Sequence, residues 1–201
     1  MLLKVAILAG GKGRRIGEDK GFLEINGIKF AEILLTKFEG CEVVFVCRDE
    51  EQAKKYRKEF CCEVITDRIR DFGPLAGIHS ALKYFQDYIL VIAVDMPLVK
   101  RKLAEFLYSM ARGYDALIPT WDDGKMEPLL ACYSYRAVDE VEKCIKMGIR
   151  RVVKPFERLN TLYYPIEGLR VFDENLISFV NVNTPKDLEM VRCLLTDLGD
   201  L

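Results

Sequence analysis

The spacing of hydrophobic and polar residues divides the first hundred positions into alternating short strands and helices. Runs rich in β-branched residues predict strands at residues 5–8, 43–46, 64–66 and 89–94. Between them, apolar residues recur at three- and four-residue steps and predict helices over residues 30–38, 50–60 and 75–85. Alternation of this kind is typical of a parallel sheet with helices on both faces. The run YILVIAV at residues 88–94 is almost wholly apolar, as expected of a central strand.

The second half of the chain has a less regular pattern. It predicts helices at residues 103–110 and 138–146, and a short helix that starts within 152–156 and ends near residue 160. It also predicts strands at 116–119, 129–133, 162–164 and 179–182. A closing helix is predicted over residues 185–195, with Thr184 as its N-cap and Pro185 as its first residue. No repeat or flexible linker interrupts the pattern. We therefore expect one α/β domain over residues 1–201, with a more variable half from about residue 101 onward.

Composition narrows the class of protein. Half of the 201 residues are hydrophobic, which is enough for a sizeable core. The 30 basic and 31 acidic residues nearly cancel, which argues against a nucleic-acid-binding surface. Seven cysteines without a Cys-x-x-Cys pair and a single histidine argue against a disulfide framework or a zinc site. No apolar run reaches the ~18–20 residues of a membrane span, so a soluble cytoplasmic protein is expected.

The first predicted strand leads into a loop that combines glycines with basic residues, LAGGKGRRIGEDKG at residues 8–21. The glycines Gly10, Gly11 and Gly13 permit positive φ and let backbone N–H groups approach an anion. Arg14, Arg15 and Lys20 add charge for phosphate oxygens. Neither the Walker loop nor the dinucleotide fingerprint fits, because no Ser or Thr follows Gly11-Lys12 and the third glycine of the fingerprint is absent. The loop predicts a different kind of phosphate site.

Two aspartates follow predicted strands and therefore lie at the same sheet edge as this loop. Asp95 ends the apolar run, and a carboxylate there suits Mg²⁺, although a turn aspartate before Pro97 is the alternative. Asp67 could contact a ribose or a base, or merely cap a turn. Residues 73–77, GPLAG, open a helix whose free N–H groups face that edge, and His79 in this helix is expected to be packed rather than catalytic. Asn183 could reach a metal or a substrate.

These motifs together resemble the MobA-type molybdenum cofactor guanylyltransferases. The resemblance rests on LAGGKGRRIGEDKG, on GPLAG at Gly73, on VDMP at Asp95 and on NVNTPKDL near the end, and it spans essentially the whole chain. The first motif is shared with sugar-nucleotide and cytidylyl transferases, whereas the double glycine, GPLAG and NTPKDL favour the guanylyl branch. The resemblance implies a three-layer Rossmann-like fold of the nucleotide-diphospho-sugar transferase type.

The resemblance also implies an activity, namely transfer of GMP from GTP to molybdopterin or its molybdenum form. Residues 1–100 become the nucleotide-binding half and residues 101–201 the acceptor-binding half. Nucleotide contacts carried over by motif are Leu8, Ala9, Gly10, Gly11, Lys20 and Asp67. Asp95 becomes the Mg²⁺ ligand with Asn183 as a candidate second one, and the expected catalytic set is Arg14, Arg15, Lys20 and Asp95. A monomer is expected, with a molybdenum-insertion protein or a recipient molybdoenzyme as candidate partners.

Some positions depart from the family, and other functions stay open. Glu127-Pro128 stands where some members have His-Pro, which leaves the acceptor contacts undefined. Phe45 stands where some relatives have a polar nucleotide contact. A CTP- or UTP-dependent transferase acting on another small phosphorylated acceptor is the nearest alternative. A non-catalytic nucleotide-binding module is an alternative of another class.

Overall fold

The computed structural model describes residues 2–10, 19–69 and 72–198. Its strands are β1 (Lys4–Leu8), β2 (Glu24–Ile25), β3 (Ile28–Lys29), β4 (Glu42–Cys47), β5 (Glu63–Thr66), β6 (Ile89–Ala93), β7 (Ala116–Thr120), β8 (Leu130–Tyr133) and β9 (Thr161–Pro165). Its helices are α1 (Phe30–Lys37), α2 (Glu50–Glu59), α3 (Pro74–Phe85), α4 (Arg101–Met110), α5 (Val138–Lys146) and α6 (Pro185–Leu198). The alternation predicted for the first hundred residues is confirmed.

Seven of these strands form one central sheet in the order β5-β4-β1-β6-β8-β7-β9. Strand β8 runs antiparallel to both of its neighbours, and the other pairings are parallel. All five residues of β6 are buried, as its unbroken apolar run predicts. The mostly parallel sheet is the expected one, and β8 adds an antiparallel strand that the sequence did not specify.

Helices cover both faces of the sheet and give the expected three layers. On one face, α1, α2 and α4 contribute buried residues to a core cluster that includes Leu34, Tyr56 and Leu107. On the other face, α3 and α5 contribute Ile78, Leu82 and Val141. Both clusters contain residues from the two halves of the chain. The apolar stripes of these helices therefore determine which face of the sheet each helix covers.

Two details of the fold differ from the sequence-based expectations. The strand predicted at residues 179–182 is wrong, because a 3-10 turn at Ile177–Phe179 precedes a segment that joins no sheet in the described part of the chain. A small hairpin, β2–β3, was not predicted. Asn26 and Gly27 form its turn with φ of 52° and 81°, and an Asn-Gly pair between apolar residues is a recognised signal for such a turn.

The composition predicted neither a disulfide framework nor a membrane span. All seven cysteines are free, and Cys47, Cys132 and Cys144 are buried as small core residues. Among the described residues, no helix has both the length and the apolarity needed to cross a membrane.

The connections place a switch in strand order beside β1. The chain passes from β1 to β4 and β5 on one side, then returns to form β6 on the other side. In open parallel sheets, ligands bind outside the carboxyl ends of the strands at such a point. A ligand site is therefore expected at the residues that follow β1 and β6.

Candidate functional site

A cavity of about 180 Å³ opens at this switch point. The carboxyl ends of β1, β4 and β6, the residue that follows β5, and the first turns of α3 form its walls. The lining residues are Leu8, Ala9, Gly10, Lys20, Val46, Asp67, Gly73, Pro74, Gly77, Ala93, Val94, Asp95 and Leu129.

Backbone hydrogen bonds extend the sheet into the cavity wall beyond the strands themselves. The Ala9 N–H donates to the Val46 carbonyl at 3.0 Å, and the Val94 N–H donates to the Leu8 carbonyl at 3.1 Å. We call the apolar lining residues Leu8, Val46, Ala93 and Val94 the cavity floor. These backbone bonds attach the floor to the central sheet. An apolar surface of this kind suits the flat face of an aromatic ring.

Asp67 is the acidic group at one end of the cavity. Its backbone N–H donates to the Cys47 carbonyl at 2.8 Å, and the next residue, Arg68, donates its N–H to Ser80 Oγ at 2.9 Å. Its Oδ1 atom is buried and has no hydrogen-bond partner among the described residues. Burial raises the pKa of the Asp67 carboxyl to about 7. A buried acceptor in a cavity wall without a partner is suited to a ligand that donates hydrogen bonds.

Helix α3 begins against the same cavity. Gly73 has φ of 69° and ψ of −155°, a conformation that is essentially restricted to glycine, and Pro74 is the first helical residue. A Cβ on Gly77 would lie 3.1 Å from Leu8 Cδ2 and 3.5 Å from Asp67 Oδ1. The glycines of GPLAG therefore give the helix its start and leave room beside Asp67, so the motif does more than initiate a helix.

At the other end of the cavity, Lys20 joins Asp95 to Asn183. Lys20 Nζ donates to Asp95 Oδ2 at 2.5 Å and to Asn183 Oδ1 at 2.6 Å. The Lys20 and Asp95 side chains are only 17% and 15% exposed, so solvent screens their attraction weakly. Residues separated by 75 and 163 positions along the chain thus form one polar cluster.

The C-terminal segment is held in place so that Asn183 reaches this cluster. The Val182 N–H donates to the Asp95 carbonyl at 2.9 Å. Asp187 Oδ2 accepts from the N–H groups of Asn183 and Thr184 at 2.8 Å and 2.7 Å, and Thr184 Oγ1 accepts from the Asp187 N–H at 3.2 Å. Thr184 is therefore the N-cap of α6, as predicted, and the cap also orients Asn183.

The oxygen atoms of this cluster fit a magnesium ion. Asp95 Oδ1 is buried and has no hydrogen-bond partner among the described residues, and the Asn183 side-chain oxygen lies 2.6 Å from Lys20 Nζ. Mg²⁺ usually takes one or two protein oxygen ligands and completes its shell with water and substrate phosphates. Within the described ranges, no cluster of three or more His, Cys, Asp or Glu residues could hold a metal by itself. Water or substrate phosphate oxygens would therefore complete the shell of a metal held by Asp95 and Asn183.

The structure brings together most of the residues predicted for the site. Six of them line the cavity, and Asn183 joins through Lys20; the six are Leu8, Ala9, Gly10, Lys20, Asp67 and Asp95. Gly11, Arg14 and Arg15 lie outside the described residues. His79 is buried, and its Nε2 lies 3.0 Å from Glu142 Oε1 on α5, so it is the packed helix residue that was expected.

One expectation about the glycine loop needs correction. Gly10 does not have a positive φ, and a Cβ there would meet Arg48 only at 3.5 Å, an ordinary contact. Because the backbone at Gly10 continues on from β1 and Ala9, it has no need of the left-handed region. Because Gly10 has no side chain, its exposed backbone itself forms part of the cavity wall.

Sequence reasoning missed the residues that support this cluster from α2. Gln52 is a buried polar residue, only 1% exposed, and it contacts both Ala9 and Asp19. It lies in the strongly charged stretch EEQAKK, where a glutamine is expected to face solvent. The buried Ala53 and Tyr56 mark the inner face of this helix, but no motif identifies Gln52.

Comparison with known proteins places the chain in a family. A model described as the MobA-like NTP transferase domain matches residues 5–161. A protein of Methanothermobacter thermautotrophicus named "Probable molybdenum cofactor guanylyltransferase" is 38% identical over 198 residues, which cover 92% of this chain and 97% of that protein. A protein of the same name from Methanosarcina mazei is 35% identical, over 91% of this chain and 87% of its own length.

A solved structure agrees with these matches. The crystal structure of molybdopterin-guanine dinucleotide biosynthesis protein A from Archaeoglobus fulgidus superimposes with a TM-score of 0.90 and 46% identity, and covers 97% of this chain and 100% of that one. Sequence motifs, fold and cavity position are thus consistent with one another. The chain belongs to the MobA-like NTP transferase family and is a nucleotidyltransferase.

Proposed function

We propose that this enzyme transfers GMP from GTP to the terminal phosphate of molybdopterin or its molybdenum form, with release of pyrophosphate. The observation that carries the proposal is the cavity at the switch point, which has an apolar floor and Asp67 at one end and Lys20, Asp95 and Asn183 at the other. The choice of guanine and of the pterin acceptor rests on the names of relatives that match nearly the whole chain.

The apolar end of the cavity is the proposed site of the nucleoside. Leu8 and Val46 contact the base in this assignment, and the backbone of Ala9 and Gly10 runs beside it. Asp67 accepts hydrogen bonds from the nucleoside, because its buried Oδ1 lacks a partner within the described chain.

The polar end is the proposed site of the triphosphate and of a magnesium ion. Asp95 and Asn183 would hold the ion through their side-chain oxygens, and the ion supplies neutralisation of phosphate charge. The Lys20 ammonium provides a second positive charge, which can move from Asp95 to a phosphate oxygen when substrate enters. Arg14, Arg15 and the backbone of Gly11 are assigned to the leaving pyrophosphate on sequence grounds.

The proposed step is an in-line substitution at the α-phosphorus of GTP. An oxygen of the acceptor's terminal phosphate forms a new bond to this phosphorus, and the bond to the bridging oxygen of the β-phosphate breaks. The acceptor oxygen is already anionic, so the reaction needs no strong general base. Repulsion between two anions is the main obstacle, and fixed positive charge with correct alignment overcomes it.

In this proposal the enzyme acts as a monomer. Asn183 is contributed by the second half, and we assign the acceptor to the same side of the cavity. A molybdenum-insertion protein or a recipient molybdoenzyme could then approach from there.

The test is a transfer assay with the purified protein, Mg²⁺, molybdopterin and each of the four nucleoside triphosphates. Pyrophosphate release that requires both GTP and molybdopterin, with a product heavier by one GMP, is the expected result. Release with CTP or UTP instead would assign the alternative nucleotide specificity. Binding of a nucleotide without any release would assign the non-catalytic module.

A further inference from the structure

We infer that two residues of α2 are positioning residues that aim Lys20: Gln52, which ties Ala9 to Asp19, and Tyr56, which holds Asp19. This inference rests on the nucleotide site proposed above, but not on the identity of the base or of the acceptor. Neither residue lines the cavity. They act through Asp19, the residue immediately before Lys20.

The side-chain amide of Gln52 bridges the two ends of the loop. Its Nε2 donates to the Ala9 carbonyl at 3.0 Å and to Asp19 Oδ2 at 2.5 Å, while its Oε1 accepts from the Arg48 N–H at 2.9 Å. Both N–H donors of the Gln52 NH₂ group are therefore in use, and its carbonyl oxygen accepts one hydrogen bond, in a side chain that is only 1% exposed. A buried amide that is held at both its nitrogen and its oxygen is fixed in orientation.

Tyr56 lies one helical turn after Gln52 and holds the same carboxylate. Its hydroxyl donates to Asp19 Oδ1 at 2.8 Å, and Asp19 Oδ1 also accepts from the Gly21 N–H at 3.2 Å. Burial and the nearby Asp19 charge raise the pKa of Tyr56 far above its usual value, so the hydroxyl remains a donor. Within the described chain, Asp19 thus accepts from Gln52, Tyr56 and Gly21.

Packing makes this arrangement rigid. The Tyr56 ring is fully buried, with centroids 5.2 Å from both Phe22 and Phe45 and 5.4 Å from Phe60. A Cβ on Gly21 would lie 2.0 Å from the Tyr56 hydroxyl oxygen, so only glycine allows the backbone to pass this close. The turn that carries Lys20 is consequently pinned on both sides of that residue, by Asp19 and by Gly21.

The contacts made by α2 affect the site through the position of the Lys20 ammonium. Lys20 Nζ lies 2.5 Å from Asp95 Oδ2, and small errors in the placement of a charged group reduce transition-state stabilisation steeply. The contacts of α2 therefore determine whether the ammonium reaches the phosphates. Loss of these contacts should affect turnover through Lys20.

The test is a double-mutant cycle between Tyr56→Phe and Lys20→Ala. It measures kcat from steady-state pyrophosphate release and the affinity for the four nucleoside triphosphates by calorimetry. Tyr56→Phe keeps the ring and removes only the hydroxyl. We expect kcat to fall about tenfold in the otherwise native protein and to stay unchanged when Lys20 is already alanine. Gln52→Met should lower kcat in the same dependent way and also weaken nucleotide binding, because both loop ends lose a donor.

Tyr108→Phe is the matched control, because its hydroxyl donates to the Tyr88 carbonyl at 3.1 Å, before the start of β6. It should lose similar stability without any change in kcat. Equal losses of kcat from Tyr56→Phe with and without Lys20 would overturn the inference, as would native kcat in both Tyr56→Phe and Gln52→Met. If the native protein fails to transfer GMP, the proposed function fails, and the affinity of the variants for whichever nucleotide binds still tests the positioning role.

Discussion

The Lys20 ammonium lies within 2.6 Å of both the Asp95 carboxylate and the Asn183 side-chain oxygen, and among the described residues it is the cationic residue that lines the cavity. Lys20→Ala should lower kcat by about 10²–10³-fold, the usual effect of losing one group that stabilises transition-state charge. GTP binding should weaken as well. Single-turnover kinetics test this, with Lys29→Ala, which breaks an ion pair to Glu59, as the control. An unchanged single-turnover rate would remove Lys20 from the mechanism.

Asp95 is expected to determine the dependence on magnesium. Asp95→Asn keeps the shape of the side chain but replaces a charged oxygen with an amide, which is a poorer ligand for Mg²⁺. We expect activity to be lost and the magnesium dependence of nucleotide affinity to disappear. Titration of GTP affinity against magnesium concentration measures this directly. A titration curve identical to that of the native protein would contradict the metal assignment.

Asp67 should make the stability of the free protein depend on pH. The unfolded carboxyl has a pKa of about 3.9, whereas burial raises the pKa in the folded protein to about 7. Between these values the folded state retains a proton that the unfolded chain has released, so stability falls as pH rises through this window. Asp67→Asn removes the effect.

The measurement is Tm at pH 4 and at pH 8. The Tm of Asp67→Asn minus that of the native protein should be several degrees larger at pH 8 than at pH 4. For Asp122→Asn, which changes an exposed residue, this difference should be the same at both pH values. A difference that stays constant with pH would show that the Asp67 carboxyl titrates normally in the folded protein.

At the scale of single elements, helix α3 contributes Gly77 to the cavity wall, next to Leu8 and Asp67. Gly77→Ala improves helix propensity by about 1 kcal/mol, and the end of the Leu8 side chain must shift to accept the methyl group. Stability should therefore change little, while the affinity for GTP should fall by about tenfold as cavity space is lost.

Gly168→Ala provides a comparable substitution outside the cavity, since its Cβ would lie 3.1 Å from Tyr164 Cε1. It should leave GTP affinity unchanged in the same calorimetric titration. Equal affinity of Gly77→Ala and the native protein would show that the nucleotide does not use the space beside Asp67.

Elements defined by local pattern were predicted well, and those defined by tertiary contacts were not. The apolar periodicity of α3 and the unbroken run of β6 specify their faces without reference to the rest of the chain. In contrast, residues 179–182 look like a strand because three of the four are apolar. In the structure, the Val182 N–H donates to the Asp95 carbonyl, and the Phe179 and Val182 side chains pack into the core instead of a sheet. The antiparallel direction of β8 also depends on how the chain returns, which no local pattern encodes.

The candidate site shows the same division. Asp67, Asp95 and Lys20 could be found because each lies in a motif at the end of a strand. Gln52 could not, since its role depends on two partners 33 and 43 positions away. Supporting residues of this kind are recognised only when the distances between atoms are known.

At the scale of the whole molecule, the two halves share their cores. One core cluster contains Val5 and Phe45 together with Leu107 and Phe179, and α3 of the first half contacts α5 through His79 and Glu142. Because neither half has a separate core, we expect equilibrium unfolding in urea to be a single cooperative transition.

The single tryptophan makes this testable. Trp121 lies in the second half and packs against Phe179, so its fluorescence reports on that half, whereas far-UV circular dichroism reports on all helices. The two unfolding curves should coincide in midpoint and slope. A fluorescence transition at lower urea than the circular dichroism transition would show that the second half unfolds independently.

The contact between Lys20 and Asp95 has a consequence for the order in which substrates arrive. A tethered ammonium has a high effective concentration at the carboxylate, so free magnesium from solution competes poorly for the same oxygen. In the proposed site, a triphosphate would offer Lys20 new anionic partners. The Asp95 oxygens would then be left to hold a magnesium ion that the nucleotide brings with it. The protein without nucleotide should thus bind free divalent ions weakly, and a metal should bind together with the nucleotide.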